Sequence, residues 1–201
     1  GVYGDLLERE NCSEHKPQTT AVLIIQELFK DAEWRRWASL DRLLPTIAEA
    51  EPDEFLKSVE SAFQQTPCPF EELFNQEDGG VFGRTYMSGL LWALEGLAWD
   101  SKYLTNVCLL LGKLATIDPG GTWANRPVNS LTNILLPWFP QTKAPIQKRF
   151  AAIKAIKNDF PDIAWKVIIS LLPNEHHFTS GTYKPRWRNI IPEDFEPRPS
   201  N

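Results

Sequence analysis

Chemistry at neutral pH needs a nucleophile, a base or a metal cage, and few residues of this chain are spaced for any of them. Cys12 and His15 lie three apart, and His176 and His177 follow Glu175. Thiolate and imidazole ligands hold zinc when four of them converge. Nothing in the sequence ties these two ends together, so solvent-facing loop histidines are the plainer reading. Gly120-Gly121-Thr122 and Leu111-Gly112-Lys113 carry the glycines of phosphate-binding loops, but without the GxxxxGK[S/T] spacing or a preceding strand. Helix termination and close packing account for both. There is no GxSxG, no HExxH and no Cys/His or Ser/His/Asp set. Proton transfer would therefore fall to carboxylates, and Glu95 stands out because residues 90–98 are otherwise apolar. A buried carboxylate requires a hydrogen-bond or charge partner, and Arg126 or a helix terminus is the expected one. No catalytic residue, cofactor or metal is assigned from the sequence.

Binding residues are easier to find. Tyr183, Lys184, Arg186, Trp187 and Arg188 crowd into six positions, and Lys143, Lys148, Arg149, Lys154 and Lys157 add a basic helical face. Such a patch docks an acidic protein surface, including the first half of this same chain. It equally suits phosphate backbones, with aromatic rings stacking on bases. The loop from Trp123 to Arg126 is a further candidate surface. The expected interaction set is Trp123, Arg126, Lys154, Lys157, Tyr183, Lys184, Arg186, Trp187 and Arg188.

These residues must be positioned by helices. Residues 84–118 read as two apolar helices joined by a tight corner at Trp99–Asp100, with Asp100 as N-cap of the second. Met87, Leu90, Leu91, Leu94 and Leu97 face inward from the first, and Tyr103, Leu104, Val107, Leu110, Leu111 and Leu114 from the second. Upstream, a helix begins at Pro17 and carries Val22, Ile25, Leu28 and Phe29. Trp34, Trp37, Leu40, Leu43, Leu44 and Ile47 form the next stripe, which Pro45 kinks or breaks. Phe55, Leu56, Val59 and Phe63 mark a helix from Pro52, and Phe70, Leu73 and Phe74 a short one. Downstream, Pro127 opens a helix carrying Val128, Leu131, Ile134, Leu135 and Trp138. Pro145 opens another, with Ile146, Phe150, Ile153 and Ile156 inward. Ile163, Val167, Ile168 and Leu171 mark the last.

Three stretches, 43–63, 90–110 and 150–170, share one plan of apolar helix, acidic or proline-bearing corner, and second apolar helix. Their corners are about 48 and about 61 residues apart. Antiparallel pairs stacked this way make an α-solenoid, and an irregular bundle is the alternative. The expectation is an all-α, irregular solenoid-like stack of about eight to nine helices. Residues 1–16 are read as a poorly ordered N-terminal segment, 17–173 as one helical domain, and 174–201 as an extended basic-aromatic arm over the last helices.

Composition bounds the rest. The 201 residues are enough for one core without staples, with 42% apolar residues and eight tryptophans. The net charge of −5 hides a division. Residues 1–100 carry 8 Lys and Arg against 19 Asp and Glu, and residues 101–201 carry 13 against 7. Three widely spaced cysteines, Cys12, Cys68 and Cys108, give no disulfide framework. That fits a reducing, cytoplasmic setting, and no run reaches membrane-spanning length.

The runs GLLWALEGLAW, LLGKLATIDPGGTWANRPVNSL and LPWFPQT, followed by ISLLPN and TYKPRWRN, resemble a helical segment of very large bacterial multidomain proteins. Those proteins often carry a nucleotide-hydrolysing or other effector domain elsewhere, and some are tied to signalling or anti-phage defence. The similarity covers roughly residues 84–190. It implies a sensor, scaffold or oligomerisation role and brings no catalytic residue with it. The expectation is a non-catalytic protein-interaction or interdomain module. Its partners are then other domains of a parent polypeptide or another protein. The alternative is a nucleic-acid-binding helical module using the basic C-terminal half.

Overall fold

The computed structural model describes residues 16–76, 85–121, 123–172 and 181–188. Ten α-helices occur among them, in chain order: α1 (Lys16–Phe29), α2 (Trp34–Ser39), α3 (Leu44–Ala50), α4 (Pro52–Ala62), α5 (Pro69–Asn75), α6 (Ser88–Ala98), α7 (Leu104–Ile117), α8 (Pro127–Leu135), α9 (Ile146–Asp159) and α10 (Pro161–Ser170). A single 3₁₀ turn, Asp41–Leu43, joins α2 to α3. The described residues contain no strand, so the chain is all-α.

Proline marks half of the helix starts. Pro45, Pro52, Pro69, Pro127 and Pro161 each sit in the first turn of α3, α4, α5, α8 and α10, where a missing N–H leaves no bond unmade. The stripe from Trp34 to Ile47 is accordingly two helices, because Pro45 begins a new one after the 3₁₀ turn. That division takes the helix count above the expected eight to nine.

Three corners give three helix pairs, α3/α4 at Glu51, α6/α7 at Trp99–Tyr103 and α9/α10 at Phe160. The pairs stack in chain order: α3 lies on α6 and α4 touches α7, then α7 packs against both α9 and α10. The helix α8 wedges between α6, α7 and α10. Close approach of α6 to the 3₁₀ turn is made possible by Gly89, whose N–H donates to Asp41 Oδ1 at 2.6 Å and where a Cβ would overlap the Asp41 carbonyl.

The core runs the length of the stack. Leu90, Leu91, Leu94, Leu97, Leu104, Val107, Leu111 and Leu114 are buried at its centre. At the N-terminal end Trp37 stacks on Phe29 at 4.3 Å and meets Phe70 edge-on at 5.0 Å. Four expectations fail. Leu43, Ile146 and Phe150 are exposed rather than inward. Asp100 does not cap α7, whose N-cap is Tyr103; its Oδ1 instead accepts the Lys102 N–H at 2.8 Å within the corner. The helix α8 stops at Leu135, short of Trp138, because Leu136 precedes Pro137 and is driven to extended backbone. The fourth concerns the basic-aromatic segment, whose described part, 181–188, lies on α3 and α6 rather than over the last helices.

Candidate functional site

Trp92, Glu95 and Gly96 on α6 and Trp99 at its C-cap fall at helical spacings of three, one and three, so they share one face. Glu49, in the last turn of α3, stands beside it. Both carboxylates are 5% exposed. A carboxylate near a helix C-terminus meets the negative end of the helix dipole, so Glu49 depends on donors from elsewhere.

Residues 181–188 supply those donors as an extended segment. The Tyr183 N–H donates to Glu95 Oε2 at 2.8 Å. The Arg186 N–H is 3.0 Å from both oxygens of Glu49, and the Trp187 N–H donates to Glu49 Oε2 at 2.7 Å. In the other direction, the Trp99 indole N–H donates to the Tyr183 carbonyl at 3.0 Å and to Thr182 Oγ1 at 3.1 Å. The Thr182 N–H reaches Gln141 Oε1 at 3.3 Å. Side chains add ring contacts. Tyr183 stacks on Trp92 at 6.2 Å, Lys184 lies 5.6 Å over Trp99, and Arg188 lies 6.0 Å over Tyr103.

Glu95 also accepts the Ser130 hydroxyl at 2.6 Å. Burial pushes its carboxyl above the ordinary glutamate range, and the Ser130 and Tyr183 hydrogen bonds pull it back only in part. The expected partner Arg126 is elsewhere. Its guanidinium donates to Asp118 Oδ1 at 2.9 Å, with both side chains nearly buried, and closes the loop between α7 and α8. Asp118 Oδ1 also accepts the Gly120 N–H at 2.8 Å. Trp123, in that loop, is half-buried, and its indole N–H has no hydrogen-bond partner among the described residues.

Lys154 and Lys157 are exposed on α9, which contributes none of the contacts beneath 181–188. They follow Ile153 by one and four positions, and Ile153 belongs to a different feature. Ile146, Phe150 and Ile153 on α9 meet Ile168 on α10, Leu172 just beyond it and Leu135 at the end of α8 around an apolar groove of about 350 Å³. Trp165 and Ile169 extend the uncovered face along α10, at 65% and 50% exposure. The one cation in the groove wall is Arg149. One guanidinium nitrogen reaches the Leu136 carbonyl at 3.5 Å, while its Nε has no partner among the described residues. Burial holds its pKa below the usual arginine range.

The nine candidate residues thus divide into three places: the loop strut at Trp123 and Arg126, the segment Tyr183–Arg188 on the α3/α6 floor, and Lys154 and Lys157 beside the groove. Glu49 was overlooked in the sequence, where it reads as one acid among many in an acidic half. Among the described residues no group of three or more His, Cys, Asp and Glu side chains is placed to hold a metal, and no helix is long and apolar enough to cross a membrane. Cys12, His15, Glu175, His176 and His177 lie outside the described residues. The glycine of Leu111-Gly112-Lys113 gives close packing, since a Cβ there would come within 2.7 Å of the Phe160 ring. Comparison with protein families, with curated proteins and with solved structures returns no match to this chain.

Proposed function

We propose that this helical stack is a protein-interaction module, a scaffold or sensor segment of a larger cytoplasmic polypeptide, which docks an acidic amphipathic helix on the outer side of α9 and α10. The observation that supports the reading is the uncovered apolar groove with a basic border. Exposed apolar surface of this extent, rimmed by charge, is the mark of a docking face rather than of a solvated one. Ile146, Phe150 and Ile153 recur at helical spacing, as do Trp165, Ile168, Ile169 and Leu172. Two such rows form the trough that receives the apolar side of a third helix. Residues 143–172 carry six Lys and Arg against two Asp, and the Arg149 side chain lines the groove wall. Carboxylates on the flanks of the incoming helix match both.

The test is titration of the chain into a fluorescently labelled amphipathic peptide with Leu on one face and Glu on the other. Saturable binding that Phe150→Asp and Trp165→Asp together abolish, with the far-UV circular dichroism unchanged, supports the docking face. Binding that survives both substitutions, or no binding at low salt, refutes it. A parallel titration of labelled single-stranded DNA tests the nucleic-acid alternative. If DNA binds, and neutralising Lys154, Lys157, Arg186 and Arg188 removes that binding, the nucleic-acid reading replaces this one.

A further inference from the structure

The segment 181–188 sits on the helices as a bound peptide does. None of its residues belongs to the hydrophobic core or packs against it as a partly buried apolar group. Its attachments are hydrogen bonds and ring contacts to side chains of Glu49, Trp92, Glu95, Trp99, Tyr103 and Gln141. Most of the hydrogen bonds involve its main chain: the N–H groups of Thr182, Tyr183, Arg186 and Trp187, and the carbonyl of Tyr183. Main-chain recognition of an extended segment gives affinity for many sequences and leaves selection to a few side-chain contacts. Here those contacts fall on Tyr183, Lys184 and Arg188. Pro185 occupies the position between them that gives no N–H to the floor.

The floor itself demands an occupant. Glu49 and Glu95 are buried, and neither forms an ion pair among the described residues. Both are buried with the segment in place, and a carboxylate covered by a chain that brings no donors is unfavourable, so the surface selects an occupant with N–H groups and positive charge. The segment brings Lys184, Arg186 and Arg188.

We propose that the groove floored by Glu49, Glu95 and Trp99 is a binding site for an extended peptide with an aromatic–basic–proline–basic–aromatic run, and that residues 181–188 are its resident occupant in cis. A peptide of the same chemistry from another protein takes their place. The resident segment competes at the high effective concentration of a tethered ligand, which sets a threshold for exchange. This site is separate from the α9/α10 face and does not rest on it.

The probe is a labelled synthetic peptide, Gly-Thr-Tyr-Lys-Pro-Arg-Trp-Arg, titrated with the full-length chain. In a full-length variant carrying Tyr183→Pro and Trp187→Pro, two of the donated N–H groups are removed and the resident segment is weakened. The labelled peptide is expected to bind this variant about tenfold or more tightly than it binds the unaltered chain, since the tethered competitor is lost. Adding Glu49→Ala is expected to abolish that gain. Absence of saturable binding to a variant that keeps its helical circular dichroism overturns the proposal, as does binding indifferent to Glu49→Ala. A double variant that loses its helical signal also counts against it, because a segment the fold requires is not a displaceable occupant. Native-state hydrogen exchange of the unaltered chain gives a second readout. Amides of Tyr183, Arg186 and Trp187 should exchange faster than those of Leu94 and Leu111 by local opening; equal protection overturns the proposal.

Discussion

Glu95→Gln and Glu95→Ala make opposite demands on one buried site. The carboxylate accepts the Ser130 hydroxyl at 2.6 Å and the Tyr183 N–H at 2.8 Å. Alanine leaves both donors facing apolar helix, and each orphaned donor is worth about 1–3 kcal/mol. Removal of the desolvated charge returns part of this, so Glu95→Ala should lose about 2–4 kcal/mol, seen as a melting temperature lower by about 5–15 °C. Glutamine keeps an acceptor for Tyr183, and its amide N–H meets a Ser130 hydroxyl that rotates to accept. Glu95→Gln should stay within about 1 kcal/mol of the unaltered chain. The pH dependence separates charge from geometry. Burial raises the folded-state pKa of Glu95 above the ordinary 4.5, so the folded chain holds the proton more tightly than the unfolded one. The contribution of Glu95 is therefore greatest below the unfolded-state value and is lost as pH rises through the folded-state value. Urea unfolding of the three proteins from about pH 4 to about pH 8, followed by circular dichroism, should show the Gln variant gaining on the unaltered chain as pH rises. The opposite slope would mean that the two hydrogen bonds outweigh burial, and the reasoning would fail.

Other substitutions probe the frame. Gly89→Ala places a methyl against the Asp41 carbonyl and should cost at least the upper end of the ~1–3 kcal/mol range for overpacking, measured by thermal melting. Arg126→Ala strands Asp118 in a nearly buried loop and should destabilise by about 3 kcal/mol or more in urea, while Asp118→Asn with Arg126 intact should do less. Cys108 is fully buried, which pushes its thiol up to about 12; it should resist a thiol reagent until the chain unfolds, whereas partly exposed Cys68 should react in the folded state. Phe150→Asp, at a side chain 64% exposed, should leave the melting temperature of the isolated chain within the spread of ordinary surface changes, about 0.5 kcal/mol.

The helices themselves were readable because their causes are local. Apolar residues at spacings of three and four, and prolines at first turns, depend only on neighbours within a few positions. The inward faces of α4, α5, α6 and α7 follow from that spacing, and so does the order of the three corners. The outer end of the stack was not readable. Ile146 and Phe150 have the same spacing as core residues, but spacing records only that a face is apolar, and nothing in the chain's described part covers it. Asp100 misleads for a similar reason: an acid after a helix suits an N-cap, yet the corner turns once more before α7 begins.

The amino-acid sequence by itself determined an all-helical chain, the places where it bends, the division of charge between its halves, and the oddity of one acid in an apolar helix. Only the tertiary structure decided what that acid does. The donors it accepts, Ser130 and Tyr183, are 35 and 88 residues away, and Glu49 meets Arg186 and Trp187 across 137 and 138. No local pattern encodes such pairings, because a carboxylate and a backbone N–H match any of dozens of partners. Packing of α3 on α6 selects among them by setting two carboxylates along one groove, where an extended segment with positive charge and N–H groups covers them.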